Sequence, residues 1–328
     1  MMDSKPELLI LSGLPASGKT TIRKEWLQED PDARVVISYD ELRIGMFGEK
    51  WIFNSKEEQQ MKAQAFDIAG KALNAGLSVV VDNTNLTQKV RNRWAEFGKG
   101  LGATVSYQEC DTPVAECVRR DRLRAGRARV GRAVIERMAL LHGFIDWNDY
   151  AGDRFLIVDV DGTLADCEHR KKYLQPSVVC ETCDTSRLSC SGLQEDECLL
   201  CSKPYTKTKK DWRRFFLGAD KDTPIQPIFN LVGLLSNTYQ IIIVSGRPIN
   251  PCGKPTEDWL LRHGLDPLFL FMRDGQDKRS DVECKGEIAD LLPLDRVAYV
   301  IDDRPSVLRG VWQKRGLTTL AVGDLKEF

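Results

Sequence analysis

Two short polar motifs, each placed directly after an apolar run, constrain the fold of this chain more than any other feature. The run Leu8–Leu11 leads into GLPASGKT at residues 13–20, and the run Phe155–Val158 leads into DVDGT at residues 159–163. A strand that ends in such a loop and continues into a helix is the unit from which open parallel sheets are built. Because the two motifs lie about half a chain apart in 328 residues, the sequence predicts two α/β domains.

The spacing of apolar runs predicts a doubly wound parallel sheet in each half of the chain. Polar segments with helical spacing lie between the runs, and two of them, Lys56–Asn74 and Gln88–Leu101, are predicted helices. The polar stretch Asn148–Asp153 separates the two series, so we expect domains at residues 1–150 and 151–328. The predicted strands are Leu8–Leu11, Arg34–Ser38, Leu77–Asp82 and Ala103–Glu109 in the first domain, and Phe155–Val158, Gln240–Val244, Leu268–Phe271, Val297–Ile301 and Thr318–Val322 in the second.

Composition and charge narrow the class of protein. The chain is 42% hydrophobic and 29% charged, as in ordinary globular proteins. Its formal net charge of −1 gives no whole-molecule attraction for a polyanion, so any nucleic-acid contact must use local basic patches. We expect no leader peptide and no membrane span, which predicts a cytoplasmic protein. In a reducing cytoplasm, clustered cysteines indicate metal binding rather than disulfides.

The segment at residues 13–20 has the spacing Gly-x-x-x-x-Gly-Lys-Thr, which is typical of a P-loop when a strand precedes it and a helix follows. The glycines of such a loop turn backbone N–H groups toward phosphate oxygens, and the helix directs its positive end at the same anion. Lys19 is then placed to reach the β- and γ-phosphates of ATP, and Thr20 to hold Mg²⁺. The residues of the loop that are predicted to bind ATP are Gly13, Ser17, Gly18, Lys19, Thr20 and Thr21.

Two carboxylates at the ends of the next predicted strands are candidates for contact with the substrate. Asp40 can accept a proton from an attacking hydroxyl, although a helix cap is an equally good interpretation of this residue. Arg43 follows about one helical turn later and can contact a phosphate beside that hydroxyl. Asp82 can contact the nucleophile or, through water, Mg²⁺, and a turn or a cap is its alternative role.

An arginine-rich segment, residues 119–137, is predicted to form a lid over the P-loop. Arg120 and Arg124 lie four residues apart and share one helix face, where they can neutralise charge on a transferring phosphoryl group. A solvated basic face is the alternative for most of the segment. Its eight arginines are Arg119, Arg120, Arg122, Arg124, Arg127, Arg129, Arg132 and Arg137.

The DVDGT motif is followed in order by Ser245-Gly-Arg247, by Lys285 and by Asp302-Asp303, each at or after the end of a predicted strand. The set predicts transfer of a phosphoryl group to the carboxylate of Asp159, with Asp161 protonating the leaving alcohol and then activating water. Ser245 and Lys285 are predicted to hold oxygens of the transferred group, with Lys285 opening a helix. The predicted Mg²⁺ ligands are Asp159, the backbone of Asp161, Asp302 and Asp303.

Residues from about 176 to 206 are polar and rich in cysteine, which predicts an insertion into the second domain. Fourteen residues separate CETC at 180–183 from CLLC at 198–201, a spacing that suits a tetrahedral structural zinc site. The predicted zinc ligands are Cys180, Cys183, Cys198 and Cys201. Cys190 has no assigned role, and five scattered cysteines are predicted structural thiols: Cys110, Cys117, Cys167, Cys252 and Cys284.

Basic residues flank this insertion, at His169–Lys172 before it and at Lys207–Arg214 after it. Together with Trp212, Phe215 and Phe216 they can guide a single nucleic-acid strand by charge and stacking. The alternative, equally compatible with the sequence, is that the aromatic residues belong to the core and the charges are only solvated.

Together these residues resemble the bacteriophage polynucleotide 5′-kinase/3′-phosphatase family, whose second half belongs to the haloacid dehalogenase phosphatase superfamily. The resemblance covers nearly the whole chain and implies an enzyme that prepares the ends of broken nucleic-acid strands for a separate ligase. It also implies that the chain binds ATP and Mg²⁺. It implies that Asp40 is the general base for a 5′-hydroxyl and that Arg43 contacts the adjacent 3′-phosphate. It further implies lid roles for Arg120 and Arg124, with Arg124 on the γ-phosphate of ATP, and a substrate-phosphate contact for Arg247. The cysteine insertion departs from the family pattern.

Two other functions remain open at this level. A kinase and phosphatase of small molecules, such as nucleosides or sugar phosphates, would use the same motifs, because a fold does not decide its substrate. A zinc-bearing nucleic-acid adaptor without turnover is the non-enzymatic alternative, although Lys19, Asp159 and Lys285 argue against it.

Overall fold

The computed structural model describes residues 5–49, 51, 53–175, 177–180 and 205–325, with the backbone alone for 177–180 and 205–209. The chain divides into two units. The first runs to Val130 and includes Met138–Ile145, and the second contains Gly131–Arg137 and the chain from Asp146 onward.

The first unit is built on a parallel four-stranded sheet with the order β2-β3-β1-β4. Its strands are β1 (Glu7–Ser12), β2 (Arg34–Ile37), β3 (Ser78–Asp82) and β4 (Thr104–Glu109). Its helices are α1 (Lys19–Glu29), α2 (Tyr39–Phe47), α3 (Ser55–Asn74), α4 (Gln88–Gly100) and α5 (Val114–Arg122), while α6 (Arg132–Leu141) starts in the second unit.

The central position of β1 explains its unbroken apolar sequence. Leu8 and Ile10 pack into one hydrophobic cluster, with α3 and α4 residues such as Ala69 and Trp94, on one face of the sheet. Leu9 and Leu11 pack on the other face with Val80. A strand buried on both faces needs apolar residues at consecutive positions rather than alternate ones. The end of β1 is thereby held rigidly where the GLPASGKT loop begins.

The second unit contains a parallel five-stranded sheet with the order β11-β10-β5-β12-β13 and two small antiparallel pairs, β6-β9 and β7-β8. Its strands are β5 (Phe155–Val158), β6 (Ala165–Asp166), β7 (Ser177–Cys180), β8 (Tyr205–Lys209), β9 (Thr223–Pro224), β10 (Gln240–Pro248), β11 (Phe269–Arg273), β12 (Val297–Asp302) and β13 (Thr319–Ala321). Its helices are α7 (Glu168–Lys171), α8 (Trp212–Leu217), α9 (Gln226–Leu235), α10 (Ile249–Arg262), α11 (Asp281–Ala289) and α12 (Pro305–Val307).

Parallel sheets in both units confirm the predicted fold class, and every predicted strand overlaps an observed one. One helix prediction was wrong. Lys285 does not open a helix but lies in the middle of α11, which begins at Asp281 behind a capping box between Ser280 and Glu283. The predicted domain boundary near residue 150 stays a prediction. Among the described residues, no helix has both the length and the apolar character that a membrane span requires.

Candidate active sites

The loop between β1 and α1 wraps around the amino group of Lys19. Lys19 Nζ donates to the carbonyl oxygens of Gly13 and Leu14, at 2.9 and 2.7 Å. Gly13 has a φ of 148°, and a Cβ at this position would lie 2.7 Å from Ser17 Oγ, so the close turn of the loop requires glycine. Burial lowers the pKa of Lys19, and the negative charge of Asp82 opposes that effect. The observed loop therefore has the conformation and the cation that a phosphate cradle needs.

A carboxylate at the end of β3 lies next to the start of α1. Asp82 Oδ2 is 3.4 Å from Thr20 Oγ1 and 3.3 Å from an Arg23 nitrogen. Burial raises the pKa of Asp82, while the charges of Arg23 and Lys19 act in the opposite direction. Thr20 and Asp82 thus share the site that the sequence predicts for Mg²⁺. Arg23 is a cation of this site that the sequence analysis missed, although its place one turn after Lys19 on α1 was a signal.

Asp40 lies in the first turn of α2, but it does not cap that helix. The cap is Ser38, whose Oγ accepts from the backbone N–H of Glu41 at 3.4 Å. The Asp40 side chain is 91% exposed, and its Oδ1 is 2.6 Å from Arg43 Nη1. The alternative interpretation of Asp40 as a cap was therefore wrong, and its carboxylate is open to a substrate.

Arg43 is held from its other side by a carboxylate that the sequence analysis did not identify. Arg43 Nε and Nη2 donate to the two oxygens of Glu58 at 2.9 and 2.8 Å. The hydrogen bonds to Arg43 lower the pKa of Glu58, so this carboxylate stays ionised. A two-point guanidinium–carboxylate pair fixes the plane of the arginine as well as its position. No sequence motif marks Glu58, which lies 15 residues further along the chain.

A cavity of about 340 Å³ opens beside this pair, within the first unit. Its walls combine aromatic rings with polar groups of the loop after β3, and Arg43 and Glu58 form part of the lining. The other lining residues are Tyr39, Lys62, Phe66, Asn83, Thr84, Asn85, Leu86, Thr87, Val90, Arg93, Trp94, Met138 and His142.

Two arginines of the predicted lid lie near the loop. Arg120 Nη1 is 3.7 Å from the point where a Cβ on Gly18 would stand, and Glu116 holds the same side chain at 2.7 Å. Arg124 is the second arginine: after burial, which is the main cause, its positive charge also contributes to the lowered pKa of Lys19. The exposed side chain of Arg124 is otherwise 3.4 Å from the Ala128 carbonyl oxygen.

Two other arginines of the segment, Arg132 and Arg137, are held by partners within the second unit. Arg132 is 6% exposed, and it is bound within the second unit to Glu136 and Asp266, at 2.6 Å each. Arg137 donates to the Met272 carbonyl oxygen at 3.2 Å in the same unit. The alternative of a solvated basic face, kept for most of the segment, therefore does not apply to these two residues. The helical spacing of the segment could not distinguish them from the others.

In the second unit, carboxylates from two neighbouring strands meet at one lysine. Asp159 follows β5, and Asp302 ends β12, which pairs with β5. Lys285 Nζ, from α11, lies 2.8 Å from Asp159 Oδ1 and 2.8 Å from Asp302 Oδ2. All three side chains are buried. The pairing of β5 with β12 thus brings the predicted nucleophile and metal ligand together, and α11 adds the predicted phosphate-binding cation.

Asp303 completes a cluster that suits a divalent cation. Asp159, Asp302 and Asp303 each offer an oxygen, and these atoms lie within 4.8 Å of one another. Asp303 Oδ1 is buried and has no hydrogen-bond donor among the described residues. Burial raises the pKa of Asp159 to about 7, with Lys285 opposing and the other two carboxylates adding to the rise. A hard cation that prefers carboxylate oxygens, such as Mg²⁺, would relieve this repulsion, so the residues fit the predicted metal.

Gly162, in the loop after Asp161, is required for the cluster to close. Its φ is 79°, and a Cβ at this position would lie 2.0 Å from Asp303 Oδ2. A side chain here would therefore collide with a predicted metal ligand and would also adopt a left-handed conformation. This geometry explains the glycine of the DVDGT motif.

Asp161 lies in a buried network of charges. Arg247 Nε and Arg170 Nη2 both contact Asp161 Oδ1, at 2.8 and 2.5 Å. Both arginines also contact Asp222 Oδ2, at 2.5 and 2.7 Å respectively. Burial by itself would raise the pKa of Asp161, but Arg247 and Arg170 lower it to about 2. Asp161 is therefore an ionised carboxylate in this arrangement.

Arg170 and Asp222 belong to this network, although no sequence motif predicts a role for either. In the sequence, Arg170 is one residue of the basic run His169–Lys172, and Asp222 lies in no recognisable motif. Ser245 is buried, and its Oγ accepts from the backbone N–H of Arg247 at 3.2 Å. Thr163 Oγ1 is also buried, without a hydrogen-bond partner among the described residues.

The predicted zinc ligands cannot be placed in this geometry. Cys183, Cys198 and Cys201 lie outside the described residues, as does Cys190, and only the backbone of Cys180 is described, in β7. The zinc site stays a prediction. The five scattered cysteines are buried and free, as structural thiols should be.

Two family models match separate parts of the chain. Residues 8–142 match the model described as AAA domain, and residues 206–326 match the model described as polynucleotide kinase PNKP phosphatase domain. These matches confirm a P-loop domain followed by a phosphatase domain, and with them the resemblance found in the sequence.

The chain is also similar to individual proteins. It is 23% identical, over 97% of its length, to a protein of Autographa californica nuclear polyhedrosis virus with the provisional name bifunctional polynucleotide kinase/RNA ligase. It spans only 42% of that relative. Among solved structures it matches one of a Pnkp1/Rnl/Hen1 complex, with 22% identity, 97% coverage of both chains and a TM-score of 0.36. It also matches the APS kinase CysC of Mycobacterium tuberculosis, with 22% identity, 36% coverage of this chain, 69% of that chain and a TM-score of 0.30.

Proposed function

We propose that this chain, which joins an AAA-type P-loop domain to a PNKP-type phosphatase domain, is a bifunctional enzyme that heals nucleic-acid ends. It transfers the γ-phosphate of ATP to a 5′-hydroxyl and removes phosphate from a 3′ end. The observation that carries the proposal is the convergence of Asp159, Lys285, Asp302 and Asp303 in a domain of the PNKP phosphatase type, on the same chain as a P-loop. The match to a polynucleotide enzyme favours strand ends over the small-molecule alternative.

In the proposed kinase reaction, the 5′-hydroxyl oxygen attacks the γ-phosphorus of ATP and its proton passes to the Asp40 carboxylate. The bond to the bridging oxygen breaks, and ADP leaves. Lys19 and the loop N–H groups bind the phosphates, while Arg120 and Arg124 stabilise the charge that develops during transfer. Thr20, with Asp82 nearby, would hold Mg²⁺, which supplies charge neutralisation when it is bound. The proposed ATP contacts remain those of Gly13, Ser17, Gly18, Lys19, Thr20, Thr21 and Arg124.

The cavity beside Arg43 is the proposed site of the acceptor nucleoside. Its volume of about 340 Å³ is suitable for a small ligand. Aromatic walls can stack a base, and Arg43 at the margin can bind the phosphate next to the attacking hydroxyl. Oδ1 of the exposed Asp40 lies 2.6 Å from Nη1 of the same arginine. The proposed general base and the proposed phosphate contact are therefore adjacent.

Replacing Glu58 by glutamine should weaken binding of the acceptor, because one charged partner that orients Arg43 is lost. For an acceptor nucleoside that carries a 5′-hydroxyl and a 3′-phosphate, we expect KM to rise about 10-fold. This is the effect expected from the loss of a charge-assisted bidentate pair. The KM of a nucleoside without that phosphate should change little. Steady-state kinetics of Glu58→Gln with both acceptors checks this, with the exposed Glu96→Gln on α4 as control. Equal losses on both acceptors would count against the role.

In the proposed phosphatase reaction, Asp159 attacks the 3′-phosphate and forms an aspartyl phosphate as the P–O bond to the sugar breaks. Asp161 delivers a proton to the leaving oxygen and then takes one from the attacking water. Arg247 and Arg170 hold Asp161 ionised in the observed arrangement, so Asp161 must first take up a proton from solvent before it can act as the acid. Arg247 is the proposed ligand of the substrate phosphate, so its turn toward substrate would remove one of the two arginines that keep Asp161 ionised and leave Arg170 as the other partner. Ser245 and Lys285 hold oxygens of the transferred group.

Asp159, Asp302 and Asp303, with the Asp161 backbone, would hold Mg²⁺, which supplies charge neutralisation at the phosphate when it is bound.

Changing Gly162 to alanine should remove most phosphatase activity, at least about 10-fold, because the new Cβ displaces Asp303 from the cluster. Gly316→Ala is a matched control, since Gly316 has nearly the same φ, 78°, with open space around a Cβ. Both variants bear the same backbone strain of about 1–2 kcal/mol. Initial rates on a 3′-phosphorylated oligonucleotide measure the difference. If both variants lose activity equally, the collision with Asp303 is not its cause.

The proposal as a whole is tested with one oligonucleotide that carries a 5′-hydroxyl and a 3′-phosphate, ATP and Mg²⁺, on RNA and DNA in parallel. We expect label from ATP at the 5′ end and release of inorganic phosphate from the 3′ end. A mononucleotide or sugar phosphate that outcompetes the oligonucleotide would favour the small-molecule function. If neither end of the oligonucleotide is modified, the proposed kinase and phosphatase activities are both contradicted.

Three finer points complete the proposal. A separate ligase is the proposed partner, in agreement with the RNA ligase named in the viral relative and with the assembly named in the structural match. Structural zinc in the cysteine insertion is proposed from Cys180, Cys183, Cys198 and Cys201. The reducing cytoplasm is the proposed location, which suits the five buried free thiols.

A further inference from the structure

Helix α8, directly after the cysteine insertion, separates its aromatic residues into a buried and an exposed set. Phe215 is buried, whereas Trp212 is 43% exposed. The Trp212 ring stacks on Phe216, with centroids 5.7 Å apart, and meets the edge of Phe215 at 5.8 Å. The indole of Trp212 thus packs on Phe216 and Phe215 and is otherwise open to solvent. It belongs to the surface rather than to the core.

The buried side of α8 is attached to the charge network of the phosphatase site. The guanidinium of Arg170 lies 4.1 Å from the centre of the Phe215 ring and donates to the Phe215 carbonyl oxygen at 3.3 Å. Arg170 also contacts Asp161 at 2.5 Å. Only two side chains therefore separate the exposed indole of Trp212 from Asp161.

The exposed side of α8 is basic. Residues 210–217 contain three cations, Lys210, Arg213 and Arg214, and one anion, Asp211. Asp211 caps the helix, accepting from the backbone N–H of Arg214 at 3.0 Å, and its Oδ2 lies 3.4 Å from Nε of the same arginine. Lys210 and Arg213 leave a local positive charge beside this pair. Lys210 Nζ lies 5.8 Å from the centre of the Trp212 ring. This local excess of positive charge contrasts with the formal net charge of −1 of the whole chain.

We propose that the exposed face of α8, defined by Lys210, Trp212, Arg213 and Arg214, binds the single-stranded nucleotides that precede a 3′-phosphate. A base stacks on Trp212, and the cations contact backbone phosphates. An aromatic ring among cations complements a flexible polyanion with stacking bases. An acidic protein segment would use the charges but not an open indole. The inference rests on the proposed phosphatase function and names the part of the substrate that this domain recognises beyond the reacting phosphate.

The experiment compares two substrates of the phosphatase, a mononucleoside 3′-phosphate and a 3′-phosphorylated single-stranded oligonucleotide. Stacking of one base corresponds to about a 10-fold gain in affinity. We therefore expect Trp212→Ala to raise the KM of the oligonucleotide about 10-fold and to leave the kcat/KM of the mononucleotide unchanged. Arg213→Ala, at an exposed position, should raise the KM of the oligonucleotide. It should also reduce the slope of log KM against log salt concentration by about one, the contribution of one phosphate contact.

The control is Arg309→Ala, which removes an exposed arginine from another helical segment of the same unit. Thermal unfolding of each variant shows whether it is folded, and Arg213→Ala keeps the test valid if Trp212→Ala is not. If both variants affect the two substrates equally, or neither affects the oligonucleotide, α8 is not the strand-binding surface. If the unaltered protein hydrolyses neither substrate, the proposed phosphatase function itself fails.

Discussion

Replacing Asp159 by asparagine is expected to lower phosphatase activity by at least about a thousand-fold, because no aspartyl phosphate can form without the carboxylate nucleophile. Kinase activity on a 5′-hydroxyl end should stay at the level of the unaltered protein, since Asp159 belongs to the second unit and the P-loop to the first. Both rates are measured on one oligonucleotide with a 5′-hydroxyl and a 3′-phosphate.

The structure indicates that this variant should fold. Burial, with a further contribution from the charges of Asp302 and Asp303, raises the pKa of Asp159 to about 7, so loss of its charge relieves an unfavourable interaction. Lys285 keeps its contact with Asp302 at 2.8 Å. Asp295→Asn, at an exposed position in the same unit, is a matched control that should retain both activities. A parallel loss of kinase activity in Asp159→Asn would contradict two separable sites.

The second large effect is expected for Asp40→Asn, which removes the proposed general base of the kinase. General-base catalysis contributes about a hundred-fold to ten-thousand-fold, so kinase kcat should fall within that range while phosphatase activity persists. The KM of ATP should change little, because the ATP contacts are on the P-loop. The side chain is 91% exposed, so the change adds no packing defect.

Asp67→Asn provides the control, because Asp67 is an exposed carboxylate of α3 paired with Lys71 rather than with an arginine near the P-loop. It should keep full kinase activity. If Asp40→Asn also keeps it, the carboxylate is not the base, and its contact with Arg43 has only a structural role. Restored activity at higher pH would be the outcome expected of a missing base, since the acceptor hydroxyl is then ionised more often.

Much of both sites was predictable from sequence because their motifs are local. A buried strand needs consecutive apolar residues, as in Leu8–Leu11, and the loop behind it needs glycine where the backbone turns closely, as at Gly13 and Gly162. The order of strands and loops then brings Asp159 and Asp302 to the same edge of the sheet. These relations depend on neighbours in the chain and on the general rules of parallel sheets.

The partners of the charged groups were not predictable in the same way. Glu58 lies 15 residues from Arg43, and Asp222 lies 52 residues from Arg170, with no motif at either carboxylate. Helical spacing also could not show that Arg132 is buried while Arg120 lies near the P-loop. An ion pair forms where packing brings two side chains together and excludes water, which periodicity does not report.

The sequence by itself determined which chemical groups follow the strands: a glycine-rich loop with a lysine and two carboxylates in one half, and a series of carboxylates with a lysine in the other. Only the tertiary structure decided how those groups are held. It placed Glu58 behind Arg43, surrounded Asp161 with two arginines, and turned Trp212 outward while Phe215 supports Arg170. The physical reason is that strand and loop conformation depends on nearby residues, whereas ionisation and exposure depend on groups that meet only when the chain has folded.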